Sequence, residues 1–92
     1  AGISSLLGLS QFANLRRLKL SDNEIRNLVE LSVMTELIEV QLDGNNVIDS
    51  VPLTSLPRVE RINLADNPAL QCKGVAKFSL AIRITLPEHC QS

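Results

Sequence analysis

The sequence repeats one pattern of residue types every 22 positions. Three stretches that begin at residues 15, 37 and 59 read LRRLKLSDNEI, LIEVQLDGNNV and VERINLADNPA. The apolar positions and one asparagine keep the same register in all three. A fixed period of about 20 to 50 residues is typical of stacked repeats, in which each unit buries its apolar side chains against its neighbours. The chain is therefore predicted to be a stack of repeats rather than an ordinary α/β domain.

One half of each repeat has the alternation of a short β-strand. Leu18 and Leu20 flank the polar Lys19, so both leucines would face one side of a strand and the lysine the other. The same alternation returns in the next two repeats, and again near the end of the chain, where Ile84 and Leu86 flank a threonine. The sequence thus predicts strands at residues 17–20, 39–42, 61–64 and 83–86.

An asparagine follows each of the first three strands, at Asn23, Asn45 and Asn67. The chain must turn at these positions, and a buried turn leaves backbone N–H and C=O groups without partners. An inward-facing amide can supply them, because it both donates and accepts hydrogen bonds. We therefore predict a structural asparagine ladder along the stack. His89 takes the corresponding position after the fourth strand.

The phase of the repeat divides the 92 residues of this single domain into segments. Residues 1–14 correspond to the second half of a repeat, residues 15–36, 37–58 and 59–80 to three repeats, and residues 81–92 to a terminal strand and cap. Because the first segment lacks its strand half, the N-terminal layer of leucines is expected to be partly open. We expect the isolated chain to self-associate through this N-terminal end, where a longer protein would place a preceding repeat.

The pattern L-x-x-L-x-L-x-x-N-x-I resembles that of the leucine-rich repeat family. The stretch NNVIDSVPLTSLPRV, which begins at Asn45, resembles the 22-residue internalin-like class with its pattern N-x-I-x-D-I-x-P-L-x-x-L. Departures are Ser50, at an aliphatic position for which Val51 is the expected substitute, and Glu30, which replaces the proline. The resemblance implies an α/β solenoid: a right-handed stack with a short parallel sheet on its concave face. The short second half of each repeat predicts turns or 3₁₀ segments on the convex face.

Two cysteines, Cys72 and Cys90, lie near the end of the chain. They resemble the two-cysteine C-terminal cap of secreted bacterial leucine-rich repeat proteins, which implies a disulfide that fastens the last half-repeat. Such a bond contributes about 3 kcal/mol in the chain-entropy model and indicates an extracytoplasmic location: secreted, periplasmic or at the cell surface. Three other interpretations stay open: free thiols in a cytoplasmic protein, a zinc site completed by His89, and a Cys–His nucleophile pair.

Polar side chains between the inward leucines are predicted to form rows across the concave face. Neighbouring strands lie about 4.8 Å apart, so Arg17, Glu39 and Arg61 would alternate in charge at contact distance. Glu39 is expected to neutralise both arginines and to leave Arg83 unpaired. The row then either neutralises itself and keeps the sheet soluble, or belongs to a binding surface. The candidate binding residues are Arg17, Lys19, Glu39, Gln41, Asp43, Arg61, Asn63, Arg83 and Thr85.

Composition and motifs favour binding over catalysis. The net charge of −1 offers no bulk attraction for nucleic acid, and no run approaches the roughly 20 apolar residues that membrane insertion needs. The chain has one histidine, no glycine-rich phosphate loop and no carboxylate pair beside a nucleophile, so no enzyme activity, cofactor or metal is expected. The sequence predicts a non-enzymatic module that binds a protein or peptide through the concave face. The alternative is a structural C-terminal cap of a longer repeat protein.

Overall fold

The four predicted strands form one parallel sheet in the computed structural model, which describes residues 6, 8–12, 14–78 and 81–90. Partners in the sheet are 22 residues apart, so Leu18 pairs with Val40, Val40 with Ile62, and Ile62 with Ile84. The prediction of a parallel sheet is confirmed, with each strand one residue shorter than expected. In sheet order the strands are β1 (Arg17–Lys19), β2 (Glu39–Gln41), β3 (Arg61–Asn63) and β4 (Arg83–Thr85).

Short 3₁₀ segments precede β1, lie in each connection between consecutive strands and follow β4, and the described part of the chain contains no α-helix. The third segment has a proline, Pro52, in its first turn, where the missing backbone N–H leaves no hydrogen bond unmade. The tight 3₁₀ geometry suits a connection that has only half a repeat in which to return to the sheet. The segments are η1 (Leu9–Phe12), η2 (Val29–Val33), η3 (Val51–Ser55), η4 (Cys72–Lys77) and, after β4, η5 (Glu88–Cys90).

The apolar core lies between the sheet and the 3₁₀ segments. Val40 and Ile62 enter it from the strands, and Leu31 and Leu53 enter it from η2 and η3; Ile62 is 2% exposed and the other three have no exposed surface. Full burial of one such side chain contributes roughly 1.5–3 kcal/mol. Each repeat is therefore stabilised mainly by the repeats on either side. The predicted segments 1–14 and 81–92 fall partly outside the described residues.

Ser50 itself occupies the inward position of its repeat, contrary to the expectation that Val51 would substitute for it. Ser50 is fully buried, and its Oγ has no hydrogen-bond partner among the described residues, whereas Val51 is only half-buried. The register cannot shift by one residue, because Val47 and Leu53 are both buried on either side of this position. A polar side chain is thus held where an aliphatic one would pack.

The turn after each of the first three strands contains a residue with left-handed backbone geometry. The φ angles are 59° at Asp22, 72° at Gly44 and 55° at Asp66. Glycine adopts this conformation without steric cost, and aspartate tolerates it better than most residues. A Cβ at Gly44 would also overlap the carboxylate of Asp22. These three positions, again 22 residues apart, aim the following asparagines into the core.

Candidate functional site

The exposed face of the sheet carries the side chains that alternate with the buried ones. The strand register places them in two rows that run across all four strands. All predicted binding residues except Asp43, which follows β2, lie in these rows. The first row is Arg17, Glu39, Arg61 and Arg83, and the second row is Lys19, Gln41, Asn63 and Thr85.

Most charged groups in the N-terminal half of this face have a partner; the exception is Lys19, which forms no ion pair with a described residue. Arg17 Nε lies 4.0 Å from Glu39 Oε1, and Gln41 Nε2 donates to Glu39 Oε2 at 2.5 Å. Ser21 Oγ donates to Asp43 Oδ1 at 2.7 Å. The Arg17 side chain is 76% exposed, so its ion pair contributes roughly 1 kcal/mol or less to stability. This half of the face is mainly a solvated, self-neutralising surface.

Charges in the C-terminal half of the face are not neutralised in the same way. Gln41 and Arg17 hold the Glu39 carboxylate, so it does not pair with Arg61 as the sequence had led us to expect. Arg61 and Arg83 are direct partners in the β3–β4 register, and neither forms an ion pair with a described residue. A depression of about 330 Å³ lies over β2, β3 and β4, and both arginines line it.

Asn45 lies beneath this face and joins two consecutive turns. It is only 3% exposed. Its Nδ2 donates to the carbonyls of Leu20 and Leu42, each at 2.9 Å, and its Oδ1 accepts from the backbone N–H of Ile25 at 3.1 Å. One side chain thus pairs backbone groups of its own repeat and of the preceding one.

Asn67 makes the same contacts one repeat later. Its Nδ2 donates to Leu42 and Leu64, each at 2.9 Å, and its Oδ1 accepts from Val47 N–H at 3.0 Å. The Leu42 carbonyl therefore accepts from two asparagines. Asn23 donates to the Leu20 carbonyl at 2.9 Å. These bonds fix the ends of the strands and so position the two exposed rows.

The predicted disulfide between Cys72 and Cys90 is present, with Cα atoms 5.2 Å apart, within the usual range. It joins η4 to η5 and so fastens the chain beyond β4. His89 does not continue the asparagine ladder: it is exposed, and its Nε2 lies 2.9 Å from the Leu70 carbonyl, which can only accept. The sulfur atoms and the imidazole lie within 4.8 Å of one another. Neither bonded sulfur is a thiolate, so nucleophilic or metal chemistry here requires reduction of the disulfide.

Left-handed turn residues are the structural elements that the sequence prediction did not include. A signal for them exists, since Asp22, Gly44 and Asp66 immediately precede the three asparagines. Asp-Asn and Gly-Asn are residue pairs that favour turns with positive φ. The sequence contains no comparable signal that Arg61 lacks an ion pair, because this depends on the orientation of the Glu39 carboxylate.

A comparison with protein-family models finds no match for this chain, and a comparison with curated protein sequences finds none either. Among the described residues, no helix has the length and apolar character required to cross a membrane. Function must therefore be inferred from the chemistry of the exposed sheet face.

Proposed function

We propose that this chain is a non-enzymatic interaction module that binds a protein or peptide through the exposed face of its sheet. The observation that carries this proposal is the alignment of two polar rows over a depression of about 330 Å³. Several groups there, above all Arg61 and Arg83, lack a partner among the described residues. In the free chain only solvent can satisfy these exposed donors, and a partner with acceptor groups can take its place.

The fold we propose is a right-handed leucine-rich repeat solenoid of the 22-residue internalin-like class, with the exposed rows on its concave face. Its support is the in-register parallel sheet, the 3₁₀ segments of the connections, and the asparagine bonds that link one turn to the next. Solenoids use their concave surfaces for extended contacts with partners.

Binding is favoured over catalysis by the groups that the face presents. The two rows offer guanidinium, ammonium, amide, hydroxyl and carboxylate groups, but no imidazole or thiol. His89, the one histidine of the chain, lies after β4 and donates to the Leu70 carbonyl, outside the two rows. Ser21 donates to the Asp43 carboxylate and not to an imidazole, the base most often found beside a nucleophilic serine.

We propose an extracytoplasmic location, because a disulfide persists in an oxidising compartment. A cytoplasmic location is the alternative, and it requires the cysteines to be reduced in the cell. Alkylation of the freshly isolated protein without reductant, followed by mass spectrometry, distinguishes the two. Unmodified cysteines support the proposed location, and two alkylated thiols contradict it.

A second candidate function is a structural C-terminal cap of a longer repeat protein, with no binding site of its own. The specific observation in its favour is the Cys72–Cys90 bond, which fastens the segment beyond the edge strand β4. Terminal repeats of solenoids need such protection. Capping and binding are compatible, because the cap covers one end of the stack and leaves the exposed face of the sheet open to a partner.

Site-specific photo-crosslinking tests the binding role. A benzophenone amino acid is placed at Lys19, which is exposed on the β1 part of the face, and, as a matched control, at Lys73, which is exposed on η4. We expect the Lys19 position to give adducts that excess unlabelled chain suppresses, and the Lys73 position to give none of these adducts. Equal adducts from both positions, or no adduct from the face, would contradict the binding role and favour the capping role.

A further inference from the structure

Arg61 and Arg83 place two like charges side by side. They are direct partners in the parallel β3–β4 register, where neighbouring strands are about 4.8 Å apart. Like charges in directly opposed positions destabilise a sheet. Glu39, the acidic residue of the first row, is the partner of Arg61 in the β2–β3 register, but its two carboxylate oxygens lie near Arg17 Nε and Gln41 Nε2 instead. The free chain therefore carries a local repulsion that an added anion would relieve.

Neighbouring groups in the same depression are also hydrogen-bond donors. Asn63 uses its Oδ1 to accept from the Ala65 N–H at 3.0 Å, and its Nδ2 makes no hydrogen bond to a described residue. Thr85 contributes an exposed hydroxyl beside it. Both residues line the depression together with the two arginines. Glu39 lines the β2 side of the depression, whereas the lining that β3 and β4 contribute has no acidic side chain and presents an array of donors.

We infer that Arg61 and Arg83 form a binding site for one carboxylate of a peptide partner, either an acidic side chain or the free C-terminus. This inference rests on the proposed binding role of the sheet face. A guanidinium holds a carboxylate through two parallel N–H···O bonds, and the second arginine binds the remaining lone pairs. Asn63 and Thr85 lie one position further along the strands, where they can donate to backbone carbonyls of the same peptide.

A peptide carboxylate fits this face better than a polyanion such as nucleic acid. The chain as a whole carries a net charge of −1, and Glu39 and Asp43 lie on or beside the same face. A long anionic backbone would pass close to these carboxylates, and it would gain no bulk attraction. A single carboxylate contacts only the donor-rich half of the face.

The test is an NMR titration of the ¹⁵N-labelled chain, which detects binding down to millimolar affinity and locates it at the arginine Nε–H signals. Three ten-residue probes share a Gly-Ser background. The first has a central glutamate and an amidated C-terminus, the second a central glutamine and a free C-terminus, and the third a central glutamine and an amidated C-terminus. We expect the Arg61 and Arg83 signals to shift with the first or the second probe and not with the third. The probe that binds identifies the source of the carboxylate.

Variants of the chain sharpen this result. Arg61→Gln and Arg83→Gln should each weaken binding about tenfold or more, since each removes a charge-assisted pair. Arg26→Gln, at an exposed position between β1 and η2, is the matched control and should bind like the unaltered chain. Without ligand, Arg83→Gln should unfold at the same urea concentration as the unaltered chain or at a higher one, because it removes the repulsion.

Several outcomes would overturn the inference: no saturable shift with either carboxylate probe, equal shifts with the third probe, or unchanged binding in both arginine variants. Binding of a single-stranded oligonucleotide in place of the peptides would overturn it too. The crosslinking position at Lys19 lies on β1, outside the depression that the two arginines line, so it leaves their surroundings unchanged. Face-specific adducts without carboxylate binding would therefore leave the proposed function standing and reject only this inference.

Discussion

Replacement of Asn45 by alanine gives the most direct test of how the turns are held together. The substitution removes the bonds to Leu20, Leu42 and Ile25. The two carbonyls keep a donor, because Asn23 also donates to Leu20 and Asn67 also donates to Leu42. The Ile25 N–H has no other partner among the described residues and stays buried. An unpaired buried donor costs about 1–3 kcal/mol, and the weakened carbonyls add to it.

We therefore expect Asn45→Ala to lower the free energy of unfolding by about 2–3 kcal/mol. Natural domains have roughly 0.05–0.15 kcal/mol of stability per residue, so this is a large fraction of the total. Urea unfolding followed by circular dichroism, with the disulfide intact, measures the change. With a slope of about 1.5 kcal/mol/M, the midpoint should fall by roughly 1–2 M.

Two further variants isolate the cause. Asn46→Ala makes the same chemical change one residue later, at a half-buried side chain without a hydrogen bond to a described residue; its midpoint should shift by less than about 0.3 M. Asn45→Asp keeps the acceptor for Ile25 but sets a carboxylate against backbone carbonyls, so it should destabilise at least as much as alanine. If Asn45→Ala and Asn46→Ala unfolded together with the unaltered chain, the argument from buried backbone groups would be refuted.

Four other properties can be measured on the same material. Gly44→Ala should cost more than about 1 kcal/mol, because it combines a positive φ with overlap against Asp22; an unchanged urea midpoint would count against this. Ser50→Ala should raise stability by about 1 kcal/mol, because it removes a buried hydroxyl without a partner, and any loss of stability would show that the hydroxyl is bonded. Reduction of the Cys72–Cys90 disulfide should lower stability by about 3 kcal/mol, with a double alanine variant insensitive to reductant as the control. Because β1 pairs only with β2 among the described residues, light scattering should show a mass that rises with concentration, whereas a constant monomer mass would contradict self-association through that end.

Much of the fold follows from the period alone, since a strict spacing of 22 fixes which residues become partners once one strand is placed. Strand positions and register are therefore predictable from residue types, whereas the disulfide was expected only from the resemblance to two-cysteine caps. Contacts between flexible side chains are not predictable in this way. The repeat pattern places Glu39 equally close to Arg17 and Arg61. Which arginine it pairs with depends on the orientation of its carboxylate, and Gln41, on the same strand, binds the second carboxylate oxygen. Ser50 was also mispredicted, for a different reason. A polar residue at an aliphatic position does not shift the repeat by one residue, because the buried residues on both sides of it keep the register fixed.

The constant separation between sheet partners also has a consequence for folding kinetics. The entropy lost on closing a loop depends on its length, and in the chain with its disulfide reduced every strand pair closes a loop of the same length. Chain length therefore favours no pair over another, and the first contact is selected by the side chains that it buries. The β2–β3 pair joins the two strands whose central residues, Val40 and Ile62, are almost wholly enclosed. We expect this pair to form early, with β1 and β4 added afterwards in steps of equal entropic cost, so that mutations at the two edges mainly accelerate unfolding.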